Sequence, residues 1–368
     1  MMHAIAAHAW HMPVEVIYGI GALERLSDVV AQRPCLLIAH ANSEQGNWLA
    51  TLQEALSTSL IDTVIAPDGL PTVDIATTLC GQVWQALADV SDPVIVAFGG
   101  GACLDLAKAT AHRPGSGRPE HLMSWLRGET DLPALRPIPL IAIPTTAGTA
   151  SEVTRWATLW DVRPAVARKL SLESPHGYPE ASLVDARVCL TCPTPVTRDS
   201  GLDALAHALE AIWNRNATPF TDVLSLAAAQ SIIETLPRLL KAPQDLSLRQ
   251  GMSHAALQAG FAFSHTRTAL AHALSYDLTL QHGLPHGLAC AVWLPQVWRM
   301  AAGKDPTRDA LLAQVFGEAG DGDSLLDRWL SDLGVNCDAY SAASAENKDR
   351  IESALHHPRG KNFIGANP

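Results

Sequence analysis

Asp203 and His207, in SGLDALAHALEAIW, stand four residues apart, which on a helix puts a carboxylate and an imidazole on one face, one turn from each other. That is a ligand spacing. Downstream, ALAHALSYDLTLQHGLPHG carries His272, His282 and His286, with Gly283, Pro285 and Gly287 interrupting the helix so that His286 can turn back towards it. One carboxylate with several imidazoles suits a divalent first-row metal, Fe, Zn, Mn or Ni, rather than Ca or Mg. Ligand chemistry does not choose among those four. The chain has 15 His, so a D-x3-H pair also arises by chance, and the motif needs a second feature beside it.

Two turns supply it. The apolar run PVIVAFGGG ends in Gly99, Gly100 and Gly101, and a helical stretch bearing Asp105 and Lys108 follows. Three glycines remove the Cβ atoms that would keep a phosphate from the backbone N–H groups, and the helix N-terminus favours an anion. A pyrophosphate site is the natural reading, although GGG is not G-x-G-x-x-G and alone reads equally well as a tight turn. IPTTAGTASE follows another apolar run and offers the hydroxyls of Thr145, Thr146, Thr149 and Ser151 beside Gly148. As a plain loop it would use Thr149 or Ser151 as a helix N-cap.

The elements that must hold these residues fall into two textures. Pro34–His40, Asp62–Pro67, Pro93–Gly101 and Pro137–Thr146 are short strand-like runs separated by amphipathic pieces such as Asp74–Leu87, a βαβα pattern that implies a largely parallel sheet covered on both faces. From about Pro195 the chain turns to Ala/Leu-rich segments at helical spacing, Gly201–Trp213, Asp222–Leu240 and Ser247–Phe263. The expectation is an α/β dinucleotide-binding domain over residues 1–190 and an all-α metal-binding domain over 191–368, with the boundary between Val184 and Pro195.

Composition narrows the partners. A chain of 368 residues with 48% hydrophobic content has ample material for a packed core, which excludes disorder. The net charge of −11, without a Lys/Arg cluster, argues against nucleic acid and anionic membrane surfaces. Met1–Trp10 has no Lys/Arg n-region, and no stretch reads as a bilayer span, so a cytoplasmic protein is expected. The seven cysteines are odd in number and scattered, which fits a reducing compartment. Cys189 and Cys192 form a lone CxxC followed by Pro193, read as two small buried residues.

In combination, the motifs resemble the iron-containing (group III) alcohol dehydrogenases. The matching pieces are YGIGALERL, GGGACLDLAKA, IPTTAGTASEVT, SGLDALAHALE and HALSYDLTLQHGLPHG, in the family's order and covering essentially the whole chain. The resemblance implies the dehydroquinate synthase-like fold, a cleft holding NADH or NADPH and one divalent metal, Fe²⁺ or alternatively Zn²⁺, and a homodimer. It implies Asp203, His207, His272 and His286 as metal ligands, Gly99, Gly100 and Gly101 with nearby Asp105 as the pyrophosphate turn, and Thr145, Thr146 and Thr149 around the nicotinamide. The chain departs from the family in having Thr149-Ala150-Ser151-Glu152 where TGSE is usual. It also has Tyr276 where many members carry a second His, four residues after the third ligand, that relays protons. A tyrosine does not titrate near neutrality.

HALSY, EVTRWATLWD, RKLSL and HALEAIWNRNATPFTD look most like the phosphonoacetaldehyde reductase branch. That implies reduction of a small aldehyde to a primary alcohol, with the substrate's phosphonate bound by local cations, since the net charge is negative. Arg155, Arg168, Lys169, Arg215 and Arg267 are the candidates, and two of them are expected to converge on the cleft. Tyr276, His282 and water are the candidate proton donors. Oxidation of a sugar-acid alcohol and a lyase reaction of the dehydroquinate synthase type are the alternatives. After the first of the four runs, His40-Ala41-Asn42-Ser43 has no acid for a ribose hydroxyl, which permits NADPH without requiring it.

Overall fold

The computed structural model describes residues 8–163, 166–317, 321–341 and 344–366; of the N-terminal stretch Met1–Trp10, residues 1–7 lie outside the described residues. Among the described residues there are eight strands: β1 (Glu15–Tyr18), β2 (Cys35–His40), β3 (Leu60–Ala66), β4 (Val94–Gly99), β5 (Leu140–Pro144), β6 (Trp156–Arg163), β7 (Val166–Glu173) and β8 (Ala181–Val184). Six of them form one parallel sheet in the order β1-β8-β5-β4-β2-β3. The apolar runs are continuous because both faces are covered. Leu36, Ile38, Ile95 and Ala97 pack on one side with Val83 and Leu104, while Leu37, Ala39, Val96 and Phe98 pack on the other with Leu26 and Leu52. From β2 the chain adds β3 on one side and then crosses over to add β4 on the other, so the strand order reverses between β2 and β4 while all the strands stay parallel. Gly99 ends β4 at that switch point, where open α/β sheets bind ligands.

β6 and β7 form an antiparallel hairpin off the main sheet, built from segments for which the sequence offered motifs but no element. Helix α1 (Val73–Ala86) and helix α2 (Gly101–Ala111) flank the sheet, α1 capped by the Thr72 side chain on Ile75 N–H.

The helical half comprises α3 (Thr194–Ile212), α4 (Pro219–Lys241), α5 (Leu246–Thr266), α6 (Leu270–His282), α7 (His286–Ala291) and shorter helices beyond. Helix α3 starts well before Gly201, with Pro195 in its first turn, where the missing N–H costs nothing. Every residue from Gly201 to Ile212 is buried, so α3 is the central helix, packed against α4, α5 and α7. Contrary to the sequence expectation, α4 is long and apolar enough, by length and composition alone, to cross a membrane. Here it packs against α3 and α5, and its Asp222 is ion-paired with Arg308. All seven cysteines are unpaired, and Cys192 is half-buried rather than buried.

Candidate active site

Helices α3, α6 and α7 bring Asp203, His207, His272 and His286 together. The α6–α7 break works as the glycines and proline suggest: Gly283 ends α6 at φ +66°, and His286 opens α7 just after Pro285. Gly287 lets α7 close on α3, since a Cβ there would meet Asp199 O at 1.9 Å and Asp203 Cβ at 2.9 Å. As a result His272 Nε2 and His286 Nε2 lie 3.5 and 3.9 Å from Asp203 Oδ1, and His207 Nε2 lies 3.0 Å from His272 Nε2.

Glu210, three residues after His207 on α3, was missed in the sequence because nothing there marks it as more than a helix residue. Its fully buried carboxylate accepts from Ala269 N at 2.6 Å and His272 N at 3.1 Å, and it meets His272 Nδ1 at 2.7 Å. That bond fixes the ring orientation and leaves Nε2 to face the cluster. Phe263 stacks on His207 with centroids 4.0 Å apart. Asp203 Oδ1, His207 Nδ1 and His286 Nδ1 are buried without hydrogen-bond partners.

The electrostatics favour a cation at this point. Burial alone would raise the Asp203 carboxyl, but His207, His272 and His286 more than reverse it and hold it well below the usual range. Burial lowers His207 to about 4 and, with Lys169, pushes His286 well down. Burial acts the same way on His272, yet Cys290, Glu210 and Asp203 drive it well above the ordinary imidazole value. A cluster that draws a proton onto one of its own ligands, with a carboxylate oxygen orphaned beside it, fits a divalent metal ion.

The cluster lies in a cavity of about 660 Å³ that also reaches Gly101, Ala102, Thr149 and the Gly69-Leu70-Pro71 loop. The glycine turn needs its glycines for close approach: a Cβ on Gly99 would meet Cys103 Cβ at 2.5 Å, and one on Gly101 would meet Thr149 Cγ2 at 2.5 Å. Thr145 N–H donates to Gly99 O at 3.0 Å, and Thr146 packs 3.2 Å from a Gly100 Cβ position. These two threonines shape the turn from behind, whereas Thr149 and Gly101 line the cavity. Asp105 also lines it, but its oxygens accept from Ser151 Oγ and Thr158 N, both at 2.8 Å. A carboxylate has nothing to donate to a pyrophosphate, so Asp105 is placed as a brace between α2, the threonine loop and β6.

An iron-containing alcohol dehydrogenase family model matches residues 13–186, and the model for the C-terminal part of the Fe-containing family matches residues 197–333. The chain belongs to the iron-containing alcohol dehydrogenase family. A probable alcohol dehydrogenase, EutG, of Salmonella typhimurium is 33% identical over 90% of this chain and 86% of its own length. The phosphonoacetaldehyde reductase of Streptomyces viridochromogenes is 32% identical over 85% of this chain and 81% of its own. A sulfoacetaldehyde reductase from Bifidobacterium kashiwanohense, solved with NAD⁺, shares the fold at a TM-score of 0.84, covering 98% of this chain and 95% of that one at 23% identity. The chain is an alcohol/aldehyde oxidoreductase of a family that uses iron and NAD(P).

In this iron-containing alcohol dehydrogenase the remaining sequence candidates divide sharply. Lys169 and Arg267 line the cavity. Arg168 does not: side chains alternate along β7, so Lys169 faces Trp160 across the hairpin while Arg168 pairs with Asp161 and bonds Arg127 O at 3.1 Å. Arg155 does not line the cavity, although Glu173, which it bonds at 2.8 Å, does. Arg215 is spent on the backbone carbonyls of Phe363 and Ala366 and pins the C-terminal tail. Among the proton-donor candidates, His282 is exposed at the end of α6 beside Tyr340. Tyr276 stands behind the cavity wall, its hydroxyl buried without a partner and its pKa raised by burial. Neither side chain opens onto the cavity.

Sequence reasoning also missed the tail itself. His357, Pro358, Arg359 and Asn362 line the cavity, with Arg359 Nη1 on Thr268 Oγ1 and Asn362 Nδ2 on Thr268 O, both at 2.9 Å. Arg359 and Lys169 both lie over the Tyr276 ring, 5.8 and 4.6 Å from its centroid. Burial, reinforced by Arg359, lowers Lys169 to about 7. Finally, Asp68, after β3, accepts from Asn42 Nδ2 at 2.7 Å. It places an acid beside the end of β2 that the residues following β2 do not themselves supply.

Proposed function

We propose that this chain reduces phosphonoacetaldehyde to 2-hydroxyethylphosphonate with NADH or NADPH, and that its metal site is Asp203, His207, His272 and His286. The observation that carries the substrate is the pair Lys169 and Arg359. Both line the cavity that holds the imidazoles, and neither forms an ion pair among the described residues. Arg267, by contrast, is ion-paired with Glu173 at 2.6 Å, which it shares with Arg155. A guanidinium and, below about pH 7, an ammonium without ion pairs on one wall suit an anionic substituent carried by a small aldehyde. The likeness to a phosphonoacetaldehyde reductase supports the same choice.

Asp203, His207, His272 and His286 would hold a divalent metal, which would supply Lewis acidity to a carbonyl oxygen. The chain's own residues do the rest. The Gly99–Gly101 turn and Thr149 receive the pyrophosphate and orient the nicotinamide, while Lys169 and Arg359 hold the phosphonate so that the carbonyl carbon faces the hydride. Trp156, Trp160 and Phe263 give this wall its apolar surface. With Tyr276 and His282 both off the cavity, the proton for the product hydroxyl comes from water within it. Residues 1–190 form the dinucleotide-binding unit and 191–368 the metal-binding unit, in a cytoplasmic homodimer.

The test follows NADH and NADPH oxidation with phosphonoacetaldehyde, sulfoacetaldehyde and propanal, in wild type and in Arg359→Met. The expected result is a kcat/KM for the anionic aldehydes at least about tenfold above propanal, lost in the variant by about 10–100-fold, the size of a charge-assisted contact. Equal kcat/KM for all three aldehydes overturns the phosphonate reading, and a preference for sulfoacetaldehyde moves it to the sulfonate.

A further inference from the structure

Reduction of a carbonyl leaves an alkoxide that must take a proton, and every turnover draws that proton from the cavity's water. A group at the rim has to return it. Among the described residues four imidazoles line the cavity, His207, His272, His286 and His357, and the first three belong to the proposed metal site. His357 stands apart from them on the C-terminal tail, lining the cavity while exposed to solvent. Its Nδ1 accepts from the Arg359 backbone N–H at 3.2 Å, which leaves Nε2 as the nitrogen open to water. The ring stands edge-on to that of Tyr276, with centroids 5.7 Å apart and planes at 77°, beside the wall that carries Lys169 and Arg359. Burial, reinforced by Arg359 and Lys169, lowers its pKa, so its imidazolium gives up a proton more readily than a free histidine's. Lys169 also titrates at this wall, but a proton given up there would release the anion it holds.

We propose that His357 is the proton relay of the cavity, passing protons from bulk solvent to the water that protonates the product. The inference rests on the aldehyde-reduction reading, and not on whether the anionic group is a phosphonate or a sulfonate. In each turnover the hydride adds to the carbonyl carbon and the alkoxide oxygen takes a proton from water. The hydroxide so formed takes the Nε2 proton of the His357 imidazolium. The ring then regains a proton from solvent, so atoms and charge balance and the reduced nicotinamide is the only reductant.

The test uses the metal-loaded full chain with whichever of phosphonoacetaldehyde, sulfoacetaldehyde and propanal it reduces fastest, in wild type and in His357→Gln. The expected kcat of the variant is about 10–100-fold below wild type, with KM for aldehyde and nucleotide within about twofold. Added imidazole should restore most of the lost rate in the variant and not accelerate wild type, a rescue that a merely structural role would not show. Should the substitution unseat the tail, seen as a lowered Tm, wild-type rates in mixtures of H₂O and D₂O decide. A relay through water and imidazole moves more than one proton and gives a curved dependence of kcat on deuterium fraction. An undiminished kcat in His357→Gln, a loss that imidazole does not restore in the folded variant, or a straight-line deuterium dependence overturns the relay alone. No turnover of any aldehyde by wild type overturns the reductase reading, and the relay with it.

Discussion

At the residue scale the cavity is governed by charges that burial has made conditional. Lys169 is protonated below about 7 and neutral above it, so the attraction it offers an anion is present at low pH and lost as pH rises. With sulfoacetaldehyde, whose sulfonate stays ionised throughout, KM should increase from about pH 6 to 8 while kcat changes little. In Lys169→Arg, whose charge does not titrate in that window, the profile should be flat; a wild-type KM independent of pH would remove Lys169 from substrate binding. Glu210 acts through His272, and Glu210→Gln should weaken metal affinity by about 10–100-fold, measured by competition with a chelator, with nucleotide binding unchanged. Asp203, His207, His272 and His286, the proposed metal site, were legible in the sequence because i, i+4 spacing and a broken helix are local signals. Arg359 and Glu210 were not, because Arg359 reaches the site only through tertiary packing and Glu210 acts on His272 from another helix.

At the element scale, the strands and the turns after them are where the proposed nucleotide site is built. The β4–α2 turn was readable from its glycines. What replaces the missing acid after β2 was not, since Asp68 reaches it from the next strand. A carboxylate at that position would accept from the ribose hydroxyls and repel a 2′-phosphate. Asp68→Ala should therefore raise the kcat/KM for NADPH relative to NADH, and an unchanged ratio would show that Asp68 serves only to hold Asn42. The β6–β7 hairpin shows the complementary limit. Its segments were flagged by resemblance, yet only the pairing of Trp160 with Lys169 reveals which of two neighbouring cations faces inward. Period-two alternation decides it once the strand is known.

At the scale of the whole molecule, the sequence's change of texture near residue 190 coincides with the passage from strands to long helices, and the cavity draws on both sides of it. Gly101, Thr149 and Lys169 come from the α/β half, His272 and Arg359 from the helical half. The proposed ligands come from three separate helices, so binding a metal ties α3, α6 and α7 together. Metal held at a hundred times its Kd stabilises by about 2.7 kcal/mol, and stripping it should lower Tm by several degrees in calorimetry. A Tm indifferent to chelation would mean that the helices are fully locked by packing alone.

The Tyr276 ring, with two cations over it, bears on how selectivity of this kind arises. An aromatic face is electron-rich and tolerates a neighbouring ammonium and guanidinium. A histidine there, as many members of the family have, would become a third positive group whenever it took up a proton, crowding the other two. On the proposed substrate reading, an anionic aldehyde calls for two linked features here, cations on the wall and a group behind them that takes up no proton. An engineer who transplants only Lys169 and Arg359 into a histidine-bearing relative imports the repulsion along with the charge.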